Sequence, residues 1–109
     1  MISLVTQSKP ALTELCKRFK VRRLYLFGSA AQARFNQASD LDFLVEMAER
    51  QPTKDYADRY LGFADALEQL FKRRVDLVTE DSIRNPYLRR EVQATRQLVY
   101  EQRSEETVV

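Results

Sequence analysis

Leu24-Tyr25-Leu26-Phe27-Gly28-Ser29 and, ten residues further on, Asp40-Leu41-Asp42-Phe43-Leu44-Val45-Glu46 are the stretches from which the fold of this chain is read. Each is an apolar run of strand length. The first ends in Gly-Ser. The second begins with two aspartates spaced by one residue. Side chains two apart in a strand project to the same face, so Asp40 and Asp42 are expected side by side on one face. Leu41, Phe43 and Val45 then point to the other. Carboxylates held that close repel unless a cation sits between them or one keeps its proton. A hard cation such as Mg²⁺ binds through one or two carboxylates together with substrate phosphates. Gly28 lets backbone come close to a ligand, and a Gly-Ser step opening a helix offers free N–H groups to a phosphate. One strand end would hold the metal and the neighbouring turn a triphosphate, which metal-assisted phosphoryl or nucleotidyl transfer requires.

Working outward, the chain reads as alternating helix and strand. Ser8 and Pro10 open a helix whose apolar face carries Leu12, Leu15, Cys16 and Phe19. Cys16 is then a small core residue; with nothing nearby to lower its pKa it is no nucleophile. Val21 to Phe27 is the first strand, and a short helix is expected after Ser29. Phe35 to Ser39 reads as a loop before a strand over 40–45. Thr53 is positioned to cap a long helix ending near Lys72. Its Tyr56, Tyr60, Phe63, Leu67 and Phe71 recur at helical spacing, the mark of a core face rather than a base-stacking surface. Gly62 within it reads as a close-packing point. Residues 73–79 form a third strand, Asn85-Pro86 the cap and first turn of a last helix to about Ala94, and 98–100 a short fourth strand. Strand, helix, strand places the second and third strands in one sheet.

Composition narrows the chemistry. The 109 residues and ordinary apolar fraction of 44% fit one domain with a modest core. We expect a minimal catalytic domain over 1–100 and a polar tail over 101–109. A net charge of +2 gives no sign of a nucleic-acid protein. No apolar run is long enough to span a bilayer, the first residues lack the blocks of a signal peptide, and the lone cysteine makes no internal disulfide, so a cytoplasmic location is expected. With no histidine in the sequence, a Ser-His-Asp triad is excluded.

Asp76 is the next informative residue. It lies among Val75, Leu77 and Val78, where an unpaired carboxylate is costly. Two readings stand: an ion pair with Arg73 or Arg74, or a third acidic ligand beside Asp40 and Asp42.

Gly28-Ser29, the ten-residue interval, Asp40-x-Asp42 and the later Val75-Asp76-Leu77-Val78 together resemble the minimal nucleotidyltransferases of the DNA polymerase β superfamily. The resemblance runs to about Tyr100. It implies an α+β fold, a small mixed β-sheet flanked by helices. It implies transfer of a nucleoside monophosphate from a nucleoside triphosphate, with Asp40, Asp42 and Asp76 as catalytic and metal-holding residues, two Mg²⁺ ions expected with nucleotide, and Gly28 and Ser29 holding the triphosphate. Many members carry Arg-Gly after Gly-Ser-x-Ala; here Gln32 and Ala33 stand there, with Arg34 one step on. Stand-alone proteins of this kind resemble the antitoxin half of HEPN–MNT pairs. That likeness implies a HEPN-family toxin as partner in a hetero-oligomer, ATP as substrate, a toxin tyrosine as acceptor, and neither membrane nor direct nucleic-acid binding. A non-catalytic antitoxin acting by occlusion and a small-molecule nucleotidyltransferase are the alternatives.

Overall fold

The computed structural model describes residues 5, 7–28, 40–48 and 54–102. Among them the elements run α1 (Lys9–Arg18), β1 (Val21–Phe27), β2 (Leu41–Met47), α2 (Lys54–Phe71), β3 (Val75–Val78), a 3₁₀ turn (Glu80–Ser82), α3 (Pro86–Thr95) and β4 (Gln97–Glu101). The strands form one mixed sheet in the order β3-β2-β1-β4. β1 runs antiparallel to both β2 and β4, and β2 runs parallel to β3. The return from β2 to β3 is made through α2, as a parallel pair requires. This is the mixed α+β sheet with flanking helices expected from the sequence.

The alternation along β2 decides what each face of the sheet does. Leu41, Phe43, Val45 and Met47 turn into the main core, where they meet Leu12 and Cys16 of α1 and Phe63, Leu67 and Phe71 of α2. Phe43 stacks on Phe71 with ring centroids 6.0 Å apart. The aromatic stripe of α2 is therefore a core face, and Cys16 is fully buried within it, its thiol pushed up to about 12 by that burial. Gly62 lies under the Phe19 ring: a Cβ there would stand 2.9 Å from Phe19 Cε1, so the glycine is the close-packing point its position implied.

The opposite face carries a smaller cluster. Phe27 of β1 and Leu44 of β2 pack there with Ile83 and with Val92 of α3, flanked by Tyr25, Val78 and Leu88. α3 is started by Asn85, whose side chain accepts the Tyr87 N–H at 2.8 Å, with Pro86 in its first turn. On this same face Arg23 bridges Glu46 of β2 and Glu101 of β4 at 3.1 and 2.8 Å, tying three strands at the end away from Asp42.

Element boundaries differ from expectation by small amounts. β2 begins at Leu41, one residue after Asp40, and continues to Met47. β3 is shorter than 73–79 because Arg73 and Arg74 are taken up in the turn that follows α2, where Lys72 has φ 56°. β4 reaches Glu101, and the Gln102 N–H still bonds to the Arg22 carbonyl. The expected helix after Ser29, the 35–39 loop, the Thr53 cap and the segment 103–109 lie outside the described residues.

Phe27 is 4% exposed, so Phe27→Ala should lower stability by about 3–5 kcal/mol, read as a fall in the midpoint of urea denaturation. An unchanged midpoint would mean the second cluster contributes nothing.

Candidate active site

β1 ends where β2 and β3 begin, and this shared end gathers the acidic residues. Phe27 lies opposite Asp42 across the β1–β2 pair, and Asp42 lies opposite Asp76 across the β2–β3 pair. Because Asp42 and Leu44 alternate with the core-facing residues of β2, Asp42 emerges on the face carrying α3. Asp76, in register with it, emerges on the same face. Asp42 is half-buried and Asp76 exposed.

Register brings the Asp42 carboxyl up to that of Asp76, a like charge that disfavours its ionised form. Asp42 is accordingly pushed up to about 6 from an ordinary 3.8. Burial is the largest cause, followed by the Asp76 charge, the hydrogen bond with Asp76, and the charges of Asp40 and Glu91. Asp40 stands at the entry to β2 and is felt by Asp42 through its charge. Strand register places Asp76 opposite Asp42.

Gly28 closes the site from the β1 side. Its φ is +75°, a left-handed conformation that L side chains rarely adopt. A Cβ there would lie 2.6 Å from Asp42 Oδ2, so any side chain would displace the carboxylate. The Gly28 N–H donates to Thr95 Oγ1 at 3.1 Å, and the Thr95 hydroxyl donates to the Glu91 carbonyl at 2.8 Å. The last turn of α3 thus holds the Gly28 turn in place. Sequence reading does not mark Thr95 or Glu91. Their spacing is the available signal, since 91 and 95 share a helical face, but nothing in the sequence says that α3 folds back over β1.

Toward the other end of β2, where Glu46 lies, opens a cleft of about 430 Å³. Leu44 and Tyr25 contribute its apolar floor, and Glu46, Thr79, Glu80 and Asp81 its polar walls. Arg96 places its guanidinium 4.9 Å from the centroid of the Tyr25 ring.

The donor set is oxygen only, which suits Mg²⁺. Facing carboxylates, with Asp42 pushed up to about 6, fit a cation that would relieve their repulsion. Among the described residues no three acidic or cysteine side chains are arranged to hold a metal by themselves. Ser29 and Arg34 lie outside the described residues. No described helix is long and apolar enough to cross a membrane.

Fold and site together define a nucleotidyltransferase. The chain belongs to the nucleotidyltransferase domain family, whose model matches residues 9–99. It is 34% identical over 76 residues to MJ1379 of Methanocaldococcus jannaschii, named as a candidate protein adenylyltransferase, covering 70% of this chain and 74% of that protein. A solved structure described as a candidate minimal nucleotidyltransferase is 35% identical, with a TM-score of 0.61 over 84% of this chain and 89% of the other. The fold is also that of a chain in a complex of tri-AMPylated HEPN toxin from Shewanella oneidensis with its MNT antitoxin: TM-score 0.56, 20% identity, 95% of this chain and 78% of that one.

The raised Asp42 carboxyl has a consequence for stability. Between pH ~4 and pH ~6 the folded chain holds a proton that the unfolded chain, titrating near 3.8, releases. The metal-free protein therefore has this contribution in full below pH ~4 and loses it as pH rises through about 6. The midpoint of urea denaturation in chelator, wild type minus Asp42→Asn, should fall over that window. A difference flat with pH would show that Asp42 is not held up.

Proposed function

We propose that this chain transfers AMP from ATP to a hydroxyl of a partner protein, a tyrosine of a HEPN-family toxin, and thereby acts as the antitoxin. The observation that carries this reading is the Asp42–Asp76 pair set in register beside Gly28 at the shared end of three strands. The family supplies the reaction class. The named activity of MJ1379 and the AMPylated toxin in the Shewanella complex support a protein acceptor.

In this reading Asp42 and Asp76 hold Mg²⁺ with Asp40 beside them. The metal would offset charge on the attacking and leaving oxygens and on the phosphates. Gly28 lets the triphosphate approach the strand end, and Ser29 offers its hydroxyl and backbone N–H. The acceptor oxygen forms a bond to the α-phosphorus as the bond from that phosphorus to the bridging oxygen breaks, and pyrophosphate leaves. Asp76 is exposed and stands where an incoming acceptor arrives, so its carboxylate takes the acceptor proton. Asp42, half-buried, would hold the metal. A reaction that draws on ATP and Mg²⁺ belongs in the cytoplasm.

Intact mass of the protein encoded by the adjoining open reading frame, co-expressed with this chain, tests the reading. One or more AMP additions are expected with wild type. They should be lost with Asp42→Ala, which keeps the fold because it relieves like-charge repulsion. A tight complex with an unmodified partner in both cases would replace catalysis with occlusion. AMP transfer to a small hydroxylated acceptor without any protein partner would move the assignment to small molecules.

A further inference from the structure

β3 is the weakest support of the site. It is four residues long, stands at the edge of the sheet and carries Asp76 exposed. Its backbone groups alternate between two sides. Arg74 gives its carbonyl to the Leu41 N–H at 3.0 Å, so the groups of Asp76 also turn toward β2. Those of Val75 and Leu77 turn away from it. An edge strand with such free groups frays, slips or recruits another strand.

Two of these four outward groups are met by α2. Glu68 Oε2 accepts the Val75 N–H at 3.1 Å. The Tyr60 hydroxyl donates to the Leu77 carbonyl, and burial raises the pKa of that hydroxyl, which keeps its proton in place. The two bonds flank Asp76 on either side. They come from a helix anchored in the core by Phe63, Leu67 and Phe71. Tyr60 itself packs against that core and stacks on Tyr56 with ring centroids 6.4 Å apart. β3 is therefore held between β2 on one side and two side chains of a rigid helix on the other.

We propose that Tyr60 and Glu68 are positioning residues for the cation site: by binding the backbone on both sides of Asp76 they fix its carboxylate opposite Asp42. This rests on the reading of Asp42 and Asp76 as metal-holding residues. The register of this short edge strand otherwise rests on its parallel pairing with β2 and on the burial of Val75 in the main core. Small shifts of ligand position weaken a metal site steeply, and loss of an outer partner costs about 10- to 100-fold in affinity.

The test uses the full chain with Mn²⁺ and a non-hydrolysable ATP analogue, bound metal being read from the loss of the free-ion electron paramagnetic resonance signal. Hydrogen exchange of the peptide covering 73–79 is measured beside it. Tyr60→Phe removes one oxygen and keeps the ring; Glu68→Ala removes the acceptor; Glu68→Gln keeps an acceptor oxygen. The expected result is Mn²⁺ affinity lower by about 10-fold or more in Tyr60→Phe and Glu68→Ala, faster exchange in 73–79, and restoration in Glu68→Gln. The variants should stay folded, because the core residues of α2 are untouched. Wild-type Mn²⁺ affinity or unchanged exchange in a folded Tyr60→Phe/Glu68→Ala double variant overturns the proposal, while weakened binding by Asp76→Asn leaves the site reading intact. Undiminished Mn²⁺ binding by Asp76→Asn overturns both.

Discussion

Repulsion between two carboxylates is the constraint around which this molecule is arranged. Asp42 and Asp76 lie opposite one another in a parallel strand pair, and Asp42 feels the charge of Asp76. That pairing is unfavourable in the folded chain at neutral pH unless a proton or a cation is shared. Every nearby feature either enforces the pairing or makes it useful. Burial beside the Phe27–Leu44 cluster raises the cost of ionising Asp42. Gly28, with no Cβ, leaves the space that the Asp42 carboxylate occupies. The parallel pairing of β2 with β3, made through α2, is what brings two aspartates 34 positions apart in the sequence side by side.

The scaffold holds the strained end with its two layers. The face packed by α1 and α2 is wholly apolar along β2 and carries the larger of the two buried clusters. The other face is only partly covered by α3, which leaves the carboxylates open to a substrate. α3 also acts locally, because the Thr95 hydroxyl fixes the Gly28 N–H and so ties the turn carrying the left-handed glycine to a helix end. α2 does the equivalent for β3 through Tyr60 and Glu68. The site is thus supported by the helices above and below the sheet, and the strain sits where a metal-bound nucleotide would relieve it.

Much of this is legible in the sequence because period and spacing carry it. The alternation from Leu41 to Val45 gives the faces of β2, the three- and four-residue steps from Tyr56 to Phe71 give the buried stripe of α2, and Asn85-Pro86 gives the start of α3. Asp76, on sequence alone, stands between an arginine pair and a ligand role. Only pairing of β3 with β2 decides which residue it meets, and neither neighbour order nor register is written in local periodicity. Thr95, Glu91 and Glu68, and the hydrogen bond made by the Tyr60 hydroxyl, escape sequence reading for the same reason. Each acts on backbone or charge in another element, and a polar residue on a helix looks the same in sequence whether it faces water or a strand edge.

The most direct test of the central claim is the thermal stability of wild type and Asp42→Asn at neutral pH, first in chelator and then with Mg²⁺ and a non-hydrolysable ATP analogue. If the Asp42–Asp76 pairing is a repulsion awaiting a cation, the order reverses. Asp42→Asn melts higher than wild type in chelator, and wild type melts higher once metal and nucleotide are present. Melting temperatures that keep the same order in both conditions would contradict the account, since the carboxylates would then neither strain the free protein nor hold the metal.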